Sequence, residues 1–134
     1  MPDSAIHHIR LTVSDLSRAK QFWIRLLGFM GFVFVNENDD RVCYESADTG
    51  LRFLLCEAPV EYKHELFQQG KLGFHHLAFS ARSHEQVDEF YTLLTQLGVP
   101  TEGPPEFYTY SPGYYAVYFH DPDGLKFELV HAPR

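Results

Sequence analysis

His75-His76-Leu77-Ala78-Phe79-Ser80-Ala81-Arg82 repeats the plan of His7-His8-Ile9-Arg10-Leu11-Thr12-Val13-Ser14, which stands 68 positions upstream. In both stretches every second residue is apolar: Ile9, Leu11 and Val13, then Leu77, Phe79 and Ala81. A period of two marks a strand with one buried face. A helical stripe follows each strand. Ala19, Phe22, Trp23, Leu26 and Leu27 recur at helical spacing, and Gly28 is read as the stop. Val87, Phe90, Tyr91, Leu94 and Leu97 form the second stripe, ended by Gly98. Ser83 with Gln86 three residues on is a capping-box start.

Three strand-like runs follow each helix. In the first half they fall near 29–36, 41–46 and 51–57, and in the second near 101–109, 114–120 and 125–131. Asn36 to Asp40, Ala47 to Gly50, Ser111-Pro112-Gly113 and Asp121-Pro122-Asp123-Gly124 are the turn-rich breaks. Gly50-Leu51-Arg52-Phe53-Leu54 aligns with Gly124-Leu125-Lys126-Phe127-Glu128. The chain thus reads β-α-β-β-β twice, an α+β fold whose mixed sheets curl around a central site. Module one spans about residues 5–57 and module two about 73–132, in one domain of 134 residues. The joining segment, 58–72, has room for a short helix near 62–69, but no periodicity sets one.

Bulk properties narrow the function. Net charge is −7, which argues against a nucleic-acid partner, since phosphate binding needs a basic face. No run approaches 18 apolar residues, so no membrane span is expected. The start of the chain lacks the features of a signal peptide, and Cys43 and Cys56 are the only cysteines. Together these point to reduced, buried thiols and a cytoplasmic protein. Aromatics reach 16%, enough for a tight core or an aromatic-lined pocket.

Strand parity selects candidate site residues. If Ile9, Leu11 and Val13 face the helix, His8, Arg10 and Thr12 face away. By the same rule His76 lies opposite Leu77 and Phe79, and Lys126 and Glu128 lie opposite Phe127 and Leu129. Two imidazoles and one carboxylate on inward faces can hold one divalent ion of Fe, Mn, Zn, Ni or Co, with positions left open for substrate. Each residue alone has an ordinary structural reading; the matched parity on three strands brings the metal reading level with it.

Other residues on these faces suit a small-molecule substrate. Arg10 can grip a carboxylate or phosphonate with its guanidinium, or pair with a structural carboxylate. Thr12 shares its face. Lys126 flanks Glu128 or reaches solvent. Tyr108, Tyr110, Tyr114, Tyr115 and Tyr118 cluster around the Ser111-Pro112-Gly113 turn, and a loop that aromatic can close over a ligand. Tyr108 is taken as a substrate contact, and Tyr110 and Tyr115 as candidates for proton transfer beside Glu128. Their faces are not assignable, because the loop can shift the register. His7 and His75, of opposite parity to the ligands, are read as structural.

These motifs resemble the vicinal-oxygen-chelate superfamily, which embraces glyoxalase I, bleomycin-resistance proteins, fosfomycin-resistance thiol transferases and extradiol dioxygenases. The resemblance is carried by the run from His8 to Leu16, by Phe22-Trp23-Ile24-Arg25-Leu26-Leu27-Gly28-Phe29, by His76-Leu77-Ala78-Phe79, and by the run from Phe119 to Leu129. It implies metal roles for His8, His76 and Glu128. The fourth family position falls on Leu54, which cannot bind a metal, so a glyoxalase I activity is not expected. The resemblance implies a metal-dependent lyase, isomerase or transferase acting on a substrate held through two oxygens. The alternatives are an extradiol-type Fe(II) dioxygenase and a metal-free drug- or metabolite-binding protein. Family members usually dimerise, and exposed strand edges make a homodimer expected here.

Overall fold

The computed structural model describes residues 4–133. The chain divides into two compact units, Met1–Glu65 and Leu66–Arg134, with the boundary inside the expected joining segment. Each unit carries one four-stranded mixed sheet and one long helix, an α+β architecture whose sheets are not closed.

In the first unit β1 (His8–Val13) leads into α1 (Leu16–Phe29), then β2 (Phe32–Glu37), β3 (Arg41–Ser46) and β4 (Arg52–Glu57). The sheet order is β1-β4-β3-β2. Only β1 and β4 run parallel, because the connection between them crosses over through the helix and two strands. Helix α1 starts where Asp15 accepts the Arg18 N–H at 3.0 Å, satisfying an otherwise orphaned donor. Its stripe buries Ala19, Trp23, Leu26 and Leu27. Trp23 packs on Phe53 with ring centroids 4.9 Å apart. Leu11, Val13, Phe53 and Leu55 supply the apposed sheet face.

The expected stop at Gly28 is corrected: the helix runs through it to Phe29. Gly31, at φ 85°, makes the turn instead. Positive φ is what a glycine supplies there, and Gly28 without it is merely a weak helix residue.

In the second unit β5 (Leu77–Ser80) is followed by α2 (His84–Gln96), β6 (Glu106–Phe107), β7 (Tyr115–His120) and β8 (Lys126–His131). The order β5-β8-β7-β6 and the parallel β5/β8 pair repeat the first unit. Ser83 caps α2 by accepting from Gln86 N–H at 3.1 Å, and the Gln86 side chain accepts the Arg82 N–H at 2.6 Å. Val87, Phe90 and Leu94 are buried, with Phe90 against Phe119 at 5.3 Å. Burying each such side chain is worth about 1.5–3 kcal/mol.

Two expected elements are shorter. The strand near 101–109 shrinks to two residues, because Gly103-Pro104-Pro105 supplies no ladder donors at the prolines. The joining segment holds only a 3-10 turn at Val60–Tyr62. Residues 62–69 have no apolar face to bury, and Leu66 is exposed. No helix among the described residues is long and apolar enough to cross a membrane.

Candidate metal centre

Glu128 sits in the middle of β8, its backbone registered with Ala78 on β5 and Tyr118 on β7. It is 1% exposed. A carboxylate there is costly unless both oxygens find partners. They do. Oε1 lies 2.9 Å from Nε2 of His76, and Oε2 accepts the hydroxyl of Tyr114. His76 immediately precedes β5, so the parallel β5/β8 pairing is what brings its ring to the acid.

Around this pair lies a face of tyrosines. The Tyr118 ring is 5.7 Å from that of His76 and 5.6 Å from that of Tyr108. Tyr108 stacks on Tyr110, and Tyr110 meets Tyr114 edge-on at 5.1 Å. Burial, then the hydrogen bond to Glu128 and its charge, hold the Tyr114 phenol well above its ordinary pKa. Burial and Glu128 do the same to Tyr118. Burial followed by the charges of Glu106 and Glu102 raise Tyr108. At neutral pH these groups are therefore hydrogen-bond donors. Tyr110 is 69% exposed and forms the open rim of the cluster.

Lys126 shares the face. Its Nζ lies 4.3 Å from the centre of the Tyr118 ring and 3.2 Å from Oε2 of Glu102. The same oxygen is 2.9 Å from Nε2 of His120. A cation–π contact of this kind is worth about 0.5–1 kcal/mol where partly exposed.

Tyr115 points elsewhere. It pairs with His131 on the α2 side of the sheet, and its hydroxyl donates to Asp88 of α2 at 2.6 Å. That bond, with burial second, pushes its pKa up to about 12. So Tyr114, not Tyr115, reaches Glu128. The parity of β7 decides this, and it becomes readable once Tyr118 is known to register with Glu128.

The first unit carries the other candidates on one sheet face. His8, Arg10 and Thr12 register with Arg52, Leu54 and Cys56. The Arg10 guanidinium approaches the Cys56 Sγ through Nε at 3.3 Å and Nη2 at 3.1 Å. Cys56 is thus partly exposed on this face, not packed away, while Cys43 is buried as expected; both are free thiols. His7 and His75, read as structural from the sequence, each meet the histidine that follows them. His7 Nδ1 lies 3.0 Å from His8 Nδ1, and His75 Nδ1 lies 2.7 Å from His76 Nδ1.

The donor set fits a divalent cation in part. Two donors 2.9 Å apart have the spacing of neighbouring ligands on one ion at bond lengths of about 2.0–2.2 Å. Among the described residues, no three His, Cys, Asp or Glu side chains gather closely enough to hold one ion. His76 and Glu128 are brought together; His8 lies in the other unit.

The model of the Glyoxalase/Bleomycin resistance protein/Dioxygenase superfamily matches residues 5–129. The uncharacterised protein YqjT of Bacillus subtilis (strain 168) is 30% identical, over 93% of this chain and 97% of its own length. A 2-epi-5-epi-valiolone epimerase of Actinomyces sp is 28% identical, over 96% of this chain and 80% of its own. The crystal structure of a glyoxalase/bleomycin resistance protein from Albidiferax ferrireducens superposes with a TM-score of 0.74 at 32% identity, covering 96% of this chain and 98% of that one.

Proposed function

The chain belongs to the glyoxalase/bleomycin resistance protein/dioxygenase superfamily, and from that premise we propose that it is a divalent-metal-dependent lyase, isomerase or transferase acting on a small oxygenated substrate. The supporting observation is the His76–Glu128 pair, a buried carboxylate and an imidazole at ligand spacing beneath a roof of phenols. His8 is the proposed third ligand, on the strength of its strand parity, supplied by the same chain or by a second copy in a homodimer. The ion is one of Fe, Mn, Zn, Ni or Co, since imidazole with carboxylate suits each of them.

A cation held there supplies Lewis-acid polarisation of two neighbouring substrate oxygens. The protein's own groups do the rest. Tyr110, on the open rim, offers a hydroxyl proton where negative charge develops on a substrate oxygen, while Tyr114 donates its own to Glu128 and holds that carboxylate in place. Tyr114 keeps its proton at neutral pH because burial and Glu128 disfavour the phenolate. Tyr108 and Tyr118 wall the face against water. Lys126, and Arg10 with Thr12 in the first module, bind an anionic substituent of the substrate. The two free thiols fit a reducing compartment such as the cytoplasm.

Metal analysis of protein purified without chelator tests the assignment. The wild type should carry about one equivalent, and His76→Ala, Glu128→Gln and His8→Ala should each lose it. Full occupancy in the variants would remove these residues from the site. A second reading, metal-free capture of a planar ligand, is favoured by the stacked Tyr108 and Tyr110 rings, the latter open to solvent. Ligand binding unchanged by chelator would select that reading. Oxygen uptake with catechols after anaerobic Fe(II) loading would select a dioxygenase.

A further inference from the structure

The face of the first sheet turned away from α1 carries Arg10, Arg41 and Arg52, and they are not equally neutralised. Residues in register on neighbouring strands share a face, so the pairing gives the rows. His8, Arg52 and Glu45 form one row, Arg10, Leu54 and Cys43 the next, and Thr12, Cys56 and Arg41 the third. Arg52 pairs with Glu45 at 3.1 Å. Among the described residues, no carboxylate pairs with Arg10 or Arg41. They stand so in a chain whose net charge is −7.

Arg10 turns its fork on a poor acceptor. Nε and Nη2 approach Cys56 Sγ at 3.3 and 3.1 Å. That edge of a guanidinium is the one that grips a carboxylate or phosphate with two parallel bonds, and a thiol is a weak acceptor by comparison. Arg41 flanks the same thiol from β3, and its Nη1 donates to the Asn36 side-chain oxygen at 3.2 Å. Thr12 flanks it from β1 with a hydroxyl. Two permanent cations and a hydroxyl thus surround one thiol. Arg10 and Thr12 are exposed, and Arg41 and Cys56 half-buried, so the place is open to a small anion.

We propose that Arg10 and Arg41 are the two jaws of an oxyanion site over Cys56, and that the substrate carries a doubly charged oxyanion, such as a phosphate ester, that seats there. This role in the substrate's grip rests on the metal reading above. Arg10 follows His8 by two residues and Thr12 by four, about 7 and 13 Å along an extended strand. The anion is therefore a group apart from the oxygens that meet the cation: the substrate is charged at one end and chelating at the other. When the anion seats, the Arg10 fork turns from Sγ to its oxygens, Arg41 and Thr12 take further oxygens, and the thiol is covered.

The test is alkylation of Cys56 by iodoacetamide in the full chain, with chelator present and ionic strength held constant with sodium chloride. Buried Cys43 is the internal control. At about pH 8 inorganic phosphate is a dianion. It should slow the alkylation along a saturating curve. Arg10→Gln and Arg41→Gln should each raise the half-saturating concentration about 10–100-fold, the worth of one hydrogen bond to a charged group. Arg25→Gln, which removes an exposed charge on α1, should leave the curve unchanged. Acetate, singly charged, should protect only at higher concentration. A wild type that phosphate does not protect would overturn the site, whatever a variant does to folding. Protection unchanged in both arginine variants would overturn it too, and acetate protecting as well as phosphate would overturn the dianion. Because chelator is present throughout, loss of protection leaves the metal reading standing, and failure of the metal analysis leaves the oxyanion site standing.

Discussion

Tyr114 and Tyr115 are neighbours in the chain, yet their hydroxyls serve opposite faces of one sheet: Tyr114 donates to the buried Glu128, and Tyr115 donates to Asp88 on α2. One peptide unit therefore separates a site residue from a packing residue. Tyr114→Phe should strip one partner from a carboxylate that is 1% exposed. A loss of about 1.5–3 kcal/mol is expected, the range for hydrogen bonds to charged groups. Urea unfolding followed by far-UV circular dichroism measures it. Tyr115→Phe should cost less, since its acceptor lies at the surface.

Acid should weaken the first unit through Glu57. Its carboxylate accepts the Leu16 N–H at the start of α1 and pairs with Lys63, and these two contacts lower its pKa. A lowered pKa in the fold means stability present above the unfolded value and lost as pH falls through the folded one. The expected loss lies below about pH 4.5, the unfolded carboxylate's range. Glu57→Gln should flatten that part of the melting-temperature profile; an unchanged slope would remove Glu57 as its source.

The two cysteines should differ sharply in reactivity. Cys43 is 1% exposed, whereas Cys56 is partly open beneath Arg10. In native protein a chromogenic disulfide reagent should label one thiol per chain, and mass mapping should place it on Cys56. The second should appear only in denaturant. Two thiols reacting together in native protein would contradict the burial of Cys43.

Helix α2 offers a paired control. Leu94 is fully buried, and Leu97, one turn on, is 38% exposed. Leu94→Ala should cost about 2–5 kcal/mol through lost burial and a residual cavity. Leu97→Ala should cost under about 1 kcal/mol. Chemical denaturation of both variants gives the comparison.

Much of this architecture was legible in the letters. The strands at His8 and Leu77 announce themselves through strict alternation, and the helices through stripes ending near glycine. The parity that places Glu128 opposite Phe127 comes from the same rule. What escaped depended on pairing between distant strands. Nothing local says that Tyr118 registers with Glu128, so nothing local says that Tyr114 reaches it. His75 was set aside because parity sends its side chain away from His76, but it stands before the strand begins, where the alternation no longer applies. Gly28 misled because glycine is only a statistical stop, whereas the backbone takes its positive φ at Gly31.

The third residue of β4 is Leu54 and the third of β8 is Glu128, equivalent places in two copies of one plan. Leucine and glutamate fill similar volumes, so one strand position carries hydrocarbon in the first unit and a carboxylate in the second with the same sheet order around each. The repeated plan is therefore even in its backbone and lopsided in its chemistry: only the second copy can offer a charge at that place, held there by His76 and Tyr114.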